Sequence, residues 1–158
     1  MSQSGDYRAY VQRCFDGEVV GEAIFRKMVA LCAVSDHARK LRALEQLERE
    51  TKELMAVEVR ALGADAVERA ELIAQGEKVG ARLAGVAWPE LMRIFRVELA
   101  RYVSEFTAAE SLAPPGKETL LRQFTEHERA LLEFVDRELA GRTDDSLEPV
   151  RQRFGAVS

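Results

Sequence analysis

Along most of the chain, hydrophobic positions recur at three- and four-residue spacing, and no stretch alternates apolar and polar residues as a strand does. Four long helices follow from that period, over residues 6–34, 36–62, 89–110 and 117–140. Ser35 and Asp36 offer a break and an N-cap between the first two. "LGAD" at 62–65 closes the second, with Gly63 as its C-terminal residue. Pro89 in "WPEL" suits the first turn of the third. "LAPPGK" stops that helix, and Gly141 ends the fourth. Between the pairs, residues 66–86 are helical but hold Gly76, Gly80 and Gly85, so short or broken helices are expected. A last short helix is expected within 146–154. The chain therefore reads as all-α: two antiparallel hairpins joined by a long, partly helical crossover, in one domain over residues 1–158.

The placement of charge around each helix adds the chemistry. In the first helix Val11, Phe15, Phe25, Val29 and Cys32 share one side, with Arg13, Asp16 and Lys27 opposite. Within "FDGEVVGEAIF", residues 15–25, Glu18 and Glu22 fall in the middle of the apolar side. In the second helix Glu48, Thr51 and Glu58 point inward with Leu41, Leu44, Leu47, Leu54 and Met55, while Arg42, Glu45, Arg49, Glu50, Lys52 and Glu53 point away. The third sets Leu91, Phe95, Tyr102 and Phe106 inward, flanked by Glu98 and Glu105. The fourth sets Leu120, Phe124, Leu131 and Val135 inward with Glu128, and His127 at the edge. A first hairpin turning near residue 35 puts Glu22 opposite Glu48 and Glu18 opposite Thr51. A second turning near 113 puts Glu98 opposite Glu128. Ionised carboxylates are costly to bury unless paired, protonated or bound to metal, so their convergence needs one of these reasons. Carboxylates from all four helices, helped by a histidine, suit one or two iron or manganese ions.

These segments resemble the rubrerythrin-type branch of the ferritin-like superfamily. "GEVVGEAIF" is similar to the Gly-Glu start that carries a first-helix glutamate ligand. "LERETKELM" resembles the second-helix ligand segment, and "FTEHERALLEFVDREL" the fourth. The third-helix counterpart is Glu98, in "FRVELARY". The matches cover the four long helices, roughly 80 to 100 residues by turn spacing. The resemblance implies a ferritin-like four-helix bundle that handles iron or uses oxygen or peroxide, with a metal site drawn from Glu18, Glu22, Glu48, Glu98, Glu128 and His127.

Two departures stand out: Thr51 replaces the expected second-helix histidine, and Phe124 stands three before His127 where a Glu is wanted. Glu18 and Glu128 can compensate in a carboxylate-rich or single-metal site. The departures fit equally a decayed, metal-free site in a bundle whose role is association; that alternative expects arginines among the inward glutamates, or carboxylates sharing protons.

Composition narrows the partners. The formal charge is −4, and Arg and Lys alternate with Asp and Glu, so no basic footprint for nucleic acid appears. The longest apolar run, "MVALCAV", is too short for a bilayer span. Cys14 and Cys32 lie too far apart on one helix to bridge and read as buried thiols. "MSQSGDYRAY" lacks a secretory pattern, so a cytoplasmic setting is expected, with a homodimer as a compatible assembly. The apolar, Gly-interrupted segment around Trp88 is the candidate interface.

Overall fold

Residues 3–155 are described by a computed structural model. They are all-α: α1 (Gln3–Leu31), α2 (Ser35–Ala61), α3 (Ala70–Leu83), α4 (Trp88–Ala109), α5 (Glu118–Leu139) and α6 (Glu148–Arg151), with a 3-10 turn at Glu110–Leu112 and no strand among the described residues. By internal contacts they form two units: residues 8–86, and residues 87–155 together with 3–7. No helix is long and apolar enough to cross a membrane.

In the unit of residues 8–86, a three-residue link makes α1 and α2 antiparallel neighbours. The register is visible where Arg49 of α2 bonds Glu22 of α1 and the Glu48 carboxylate lies against the Cα of Gly21. α1 buries Val11, Phe15, Val19, Ala23 and Met28; α2 buries Leu41, Leu44, Leu47, Met55 and Val59. α1 ends at Leu31, short of the predicted Val34, so Cys32 leaves the helix. Cys14 is buried, whereas the half-buried Cys32 donates its thiol to the Val34 carbonyl at 3.4 Å. α2 closes in a Schellman arrangement: Gly63, at φ 77°, donates to Arg60 O at 2.9 Å, and Ala64 donates to Val59 O at 3.1 Å.

The glycines expected to break the next segment have a different role. α3 runs unbroken through Gly76 and Gly80, and these are its buried residues. A Cβ on Gly76 would stand 2.5 Å from Val20 O, and one on Gly80 would stand 2.5 Å from Ile24 O. The two contacts advance together along both helices, so α3 runs in the same sense as α1 and rests directly on its backbone. Absent side chains permit that approach.

In the second unit, Pro89 occupies the first turn of α4 as predicted, and α4 pairs antiparallel with α5. Arg96 Nε meets Asp136 Oδ1 at 2.7 Å, Arg129 Nη2 donates to Thr107 Oγ1 at 3.4 Å, and the Phe106 and Phe124 rings lie 6.0 Å apart. α5 buries Leu121, Phe124, Leu131, Phe134 and Val135, while burial on α4 is confined to Leu91, Met92 and Phe95. The predicted inward set therefore fails in the second half of α4. Tyr102 is 38% exposed, its ring beneath the Arg101 guanidinium at 4.4 Å, and Phe106 is half-buried. Gly141, at φ 78°, ends α5 in the same manner as Gly63 ends α2. Arg137 then fastens the following turn, donating to Asp145 O at 2.9 Å and pairing with Glu133 and Glu148.

The glycines yield opposed expectations. Gly80→Ala should destabilise the protein by about 1–3 kcal/mol, the usual cost of overpacking, although alanine is the better helix former. Gly17 sits in α1 with nothing within 4 Å of the position a Cβ would take. Gly17→Ala should therefore stabilise by about 0.5–1 kcal/mol. Urea unfolding of both variants checks the contrast.

Candidate metal centre

α1 presents Glu18 and Glu22 one turn apart, at 3% and 6% exposure. Like charges at that spacing repel, so two ionised carboxylates inside need compensation. For Glu22 it comes mainly from α2, where Arg49 Nε donates to Oε1 at 3.0 Å and Lys52 Nζ donates to Oε2; on α1 itself Arg26 Nη1 stands 3.9 Å from Oε1. Lys52 also pairs with Glu68, on the connection before α3, and Arg49 with Glu45 at 2.8 Å. Burial raises the Glu22 pKa, but the hydrogen bonds and charges of Lys52 and Arg49 outweigh it and hold the carboxyl below its ordinary value of 4.5. Burial lowers Lys52 in turn, yet its bonds to Glu22 and Glu68 leave it raised above 10.5.

The sequence pattern points Arg49 and Lys52 away from the core, and the structure corrects it. Their Cα atoms lie to the side of the inward stripe, but long flexible stems carry the charged ends back to Glu22. Glu22 thus has a cation on each oxygen and is a salt-bridged residue in this structure, where the sequence pattern predicts a metal ligand.

Glu48 and Thr51 are both buried at 6% exposure. Glu48 packs over Gly21, and Thr51 Oγ1 donates to Leu47 O at 2.8 Å within its own helix. Glu58 is buried as well.

On α5, His127 and Glu128 are 2% and 7% exposed, with His127 Nε2 3.7 Å from Glu128 Oε1. His127, placed at the edge of the inward face by the sequence, is well inside.

Glu98 is a correction. It is exposed and pairs with Arg101 at 2.8 Å, and Arg101 also holds Glu105 at 2.9 Å. The reason is register. The 3-10 turn and the Pro-Gly loop shift the hairpin's turn beyond residue 113, and Arg96–Asp136 and Thr107–Arg129 place Glu98 level with a part of α5 roughly two turns past Glu128.

Two buried ionisable groups escape the sequence reading. Lys40, 1% exposed, pairs with Asp36 Oδ2 at 3.1 Å one turn earlier on α2; the i, i+4 acid–base spacing is its signal. Glu138, 9% exposed, accepts from Trp88 Nε1 at 2.8 Å, a pairing that no local spacing announces.

On α5, His127 and Glu128 are neighbouring buried groups that could offer a metal an imidazole nitrogen and a carboxylate oxygen. Glu18, Glu22 and Glu48 are buried within the unit of residues 8–86, and Glu98 is exposed. The chain matches no protein-family model, no curated protein and no solved structure.

The Glu22 cluster carries a signed pH dependence. A carboxyl with a depressed folded-state pKa contributes stability that is present above its unfolded value and lost as pH falls through the folded value. The stability difference between wild type and Glu22→Gln should therefore be constant above about pH 5.5 and shrink as acid takes the pH below 4.5. Lys52→Met should cost on the order of 3 kcal/mol near neutrality, the scale for breaking a buried pair on one side. Denaturant titrations at stepped pH measure both.

Proposed function

We propose that this protein binds iron or manganese with His127 and Glu128 of α5 among its ligands, within a ferritin-like helical framework. The observation that carries the reading is the buried pair itself: His127 Nε2 stands 3.7 Å from Glu128 Oε1, and both side chains are inside. A divalent cation would neutralise buried carboxylate charge, and burial makes that neutralisation worth more than it would be in water. Carboxylate oxygen with imidazole nitrogen suits iron and manganese, and a partly filled coordination sphere leaves positions for water or a small oxidant. A bound ion of this kind supplies Lewis-acid or one-electron chemistry. The chain's part is to hold the ligands and keep bulk water away. The ferritin-like reading of the framework rests on the all-α fold and on the quoted segment resemblances.

A second reading has its own observation. Arg49 and Lys52 sit on Glu22 as the metal-free alternative expects of the inward glutamates, which supports a helical association module without an ion. The two readings part on one measurement. Protein from iron- and manganese-supplemented growth should carry near-stoichiometric metal by elemental analysis. Chelation should lower its melting temperature, since an ion held at a hundredfold excess over its Kd stabilises by about 2.7 kcal/mol. His127→Gln with Glu128→Gln should remove the metal while helical circular dichroism persists. Metal-free wild type with a melting curve indifferent to chelator overturns the metal reading in favour of the association module.

A further inference from the structure

We infer that the turn between α1 and α2 is a docking tip for an anionic phospholipid surface, resting on the lipid without crossing it. The inference lies within the unit of residues 8–86 and is independent of the metal reading. It starts from "MVALCAV", the longest apolar run in the chain. The run begins in the core, where Met28 is buried, and leaves it by the end of α1. Ala30, Leu31, Ala33 and Val34 are exposed, and Cys32 is half-buried. Leu31 and Val34 are 52% and 51% exposed and flank the link where the chain reverses. Single surface leucines are ordinary, whereas consecutive apolar residues at a protruding turn mark a contact. Val34 is also the N-cap of α2 and makes no side-chain cap bond. Serine, threonine, aspartate and asparagine are preferred at that position, so the turn forgoes helix stability and keeps an apolar side chain outside.

Charge decides the partner. Between Glu22 and Glu45 the sequence carries five basic residues, Arg26, Lys27, Arg39, Lys40 and Arg42, and one acidic, Asp36, in a chain whose total is −4. Buried Lys40 pairs with Asp36 at 3.1 Å, and Arg39 joins them at 2.6 Å. Arg26, Arg39 and Arg42 are exposed, and Lys27 is half-buried. Measured along the helices from Leu31 and Ser35, Lys27 and Arg39 lie about 6 Å back, and Arg26 and Arg42 about 8 and 11 Å back. α3 brings Arg82, exposed in its last turn, to the same end, because Gly80 meets α1 at Ile24 and Lys27. These spacings are comparable with the Debye length of about 8–10 Å, so the cations act on a surface that the tip touches. An apolar tip with cations behind it fits acyl chains beneath anionic headgroups. A nucleic acid would match the charge and leave Leu31 and Val34 in water.

Flotation of the full chain with phosphatidylcholine vesicles, with and without about one-third phosphatidylserine, tests this. Wild type should float with the anionic vesicles at low salt and stay in solution with phosphatidylcholine alone. Binding should fall as added salt shortens the Debye length. Each basic residue near such a surface is worth about a fivefold factor, so Lys27→Gln with Arg42→Gln should weaken binding about 25-fold. Leu31→Ser with Val34→Ser should weaken it about tenfold. A serine at position 34 supplies the missing cap, so that variant should melt no lower than wild type, which separates lost docking from lost folding. Where it does melt lower, Val34→Ser alone decides, with about threefold weaker binding expected alongside a raised melting temperature. Absent binding in wild type overturns the inference, as does binding that either folded variant leaves unchanged. Equal flotation with both kinds of vesicle also overturns it, because charge then has no part. Self-association that the tip variant abolishes, without vesicle binding by wild type, assigns the tip to a second copy of the chain and overturns it too.

Discussion

A carboxylate removed from water must meet a positive charge, a proton or a metal ion, and α1 removes two of them one turn apart. Much of the unit of residues 8–86 can be understood from that constraint. Glu22 meets it with Arg49 and Lys52, so α1 and α2 are joined by charge, while each also buries an apolar row that includes Phe15 and Val19 on α1 and Leu44 and Leu47 on α2. The ion pairs also act on register. A slip of one residue along α2 would rotate Arg49 and Lys52 about 100° around the helix and leave Glu22 buried without its partners. Hydrophobic contact tolerates small slips far better than a buried charge does.

The helices were legible because their determinants are local. Apolar period, Pro89 at a first turn and glycines at two C-termini each fix the chain within a few residues. Gly76 and Gly80 mislead for the same reason. Local propensity marks glycine as a breaker, whereas here two of them on one face of α3 allow backbone contact with α1, a fact that belongs to the pair of helices. The candidate site divides along the same line. Burial of Glu18, Glu48 and Glu128 follows from angular position alone. Glu98 depended on where a hairpin turns, and eight residues of turn and loop between α4 and α5 left that register open. Arg49 and Lys52 depended on the far ends of long, flexible side chains, which the direction of a Cα–Cβ bond does not determine.

The glycine contact and the charge cluster belong to one mechanical chain. Resting on Val20 and Ile24, α3 fixes where the connection ahead of it must arrive. That connection carries Glu68 to Lys52 and Arg69 to Asp16, the latter at 2.8 Å. Lys52 therefore lies between a buried acid, Glu22, and one that is 44% exposed, Glu68. The two contacts differ in strength in a predictable way. Solvent and salt screen the exposed partner, so Glu68 orients the ammonium more than it stabilises it, while the interaction with Glu22 dominates. Loosening α3 would thus act on Glu22 indirectly, by letting Lys52 turn toward water. The order of dependence runs from two missing side chains at Gly76 and Gly80, through the position of one helix, to the direction of one ammonium and the charge state of one buried carboxylate.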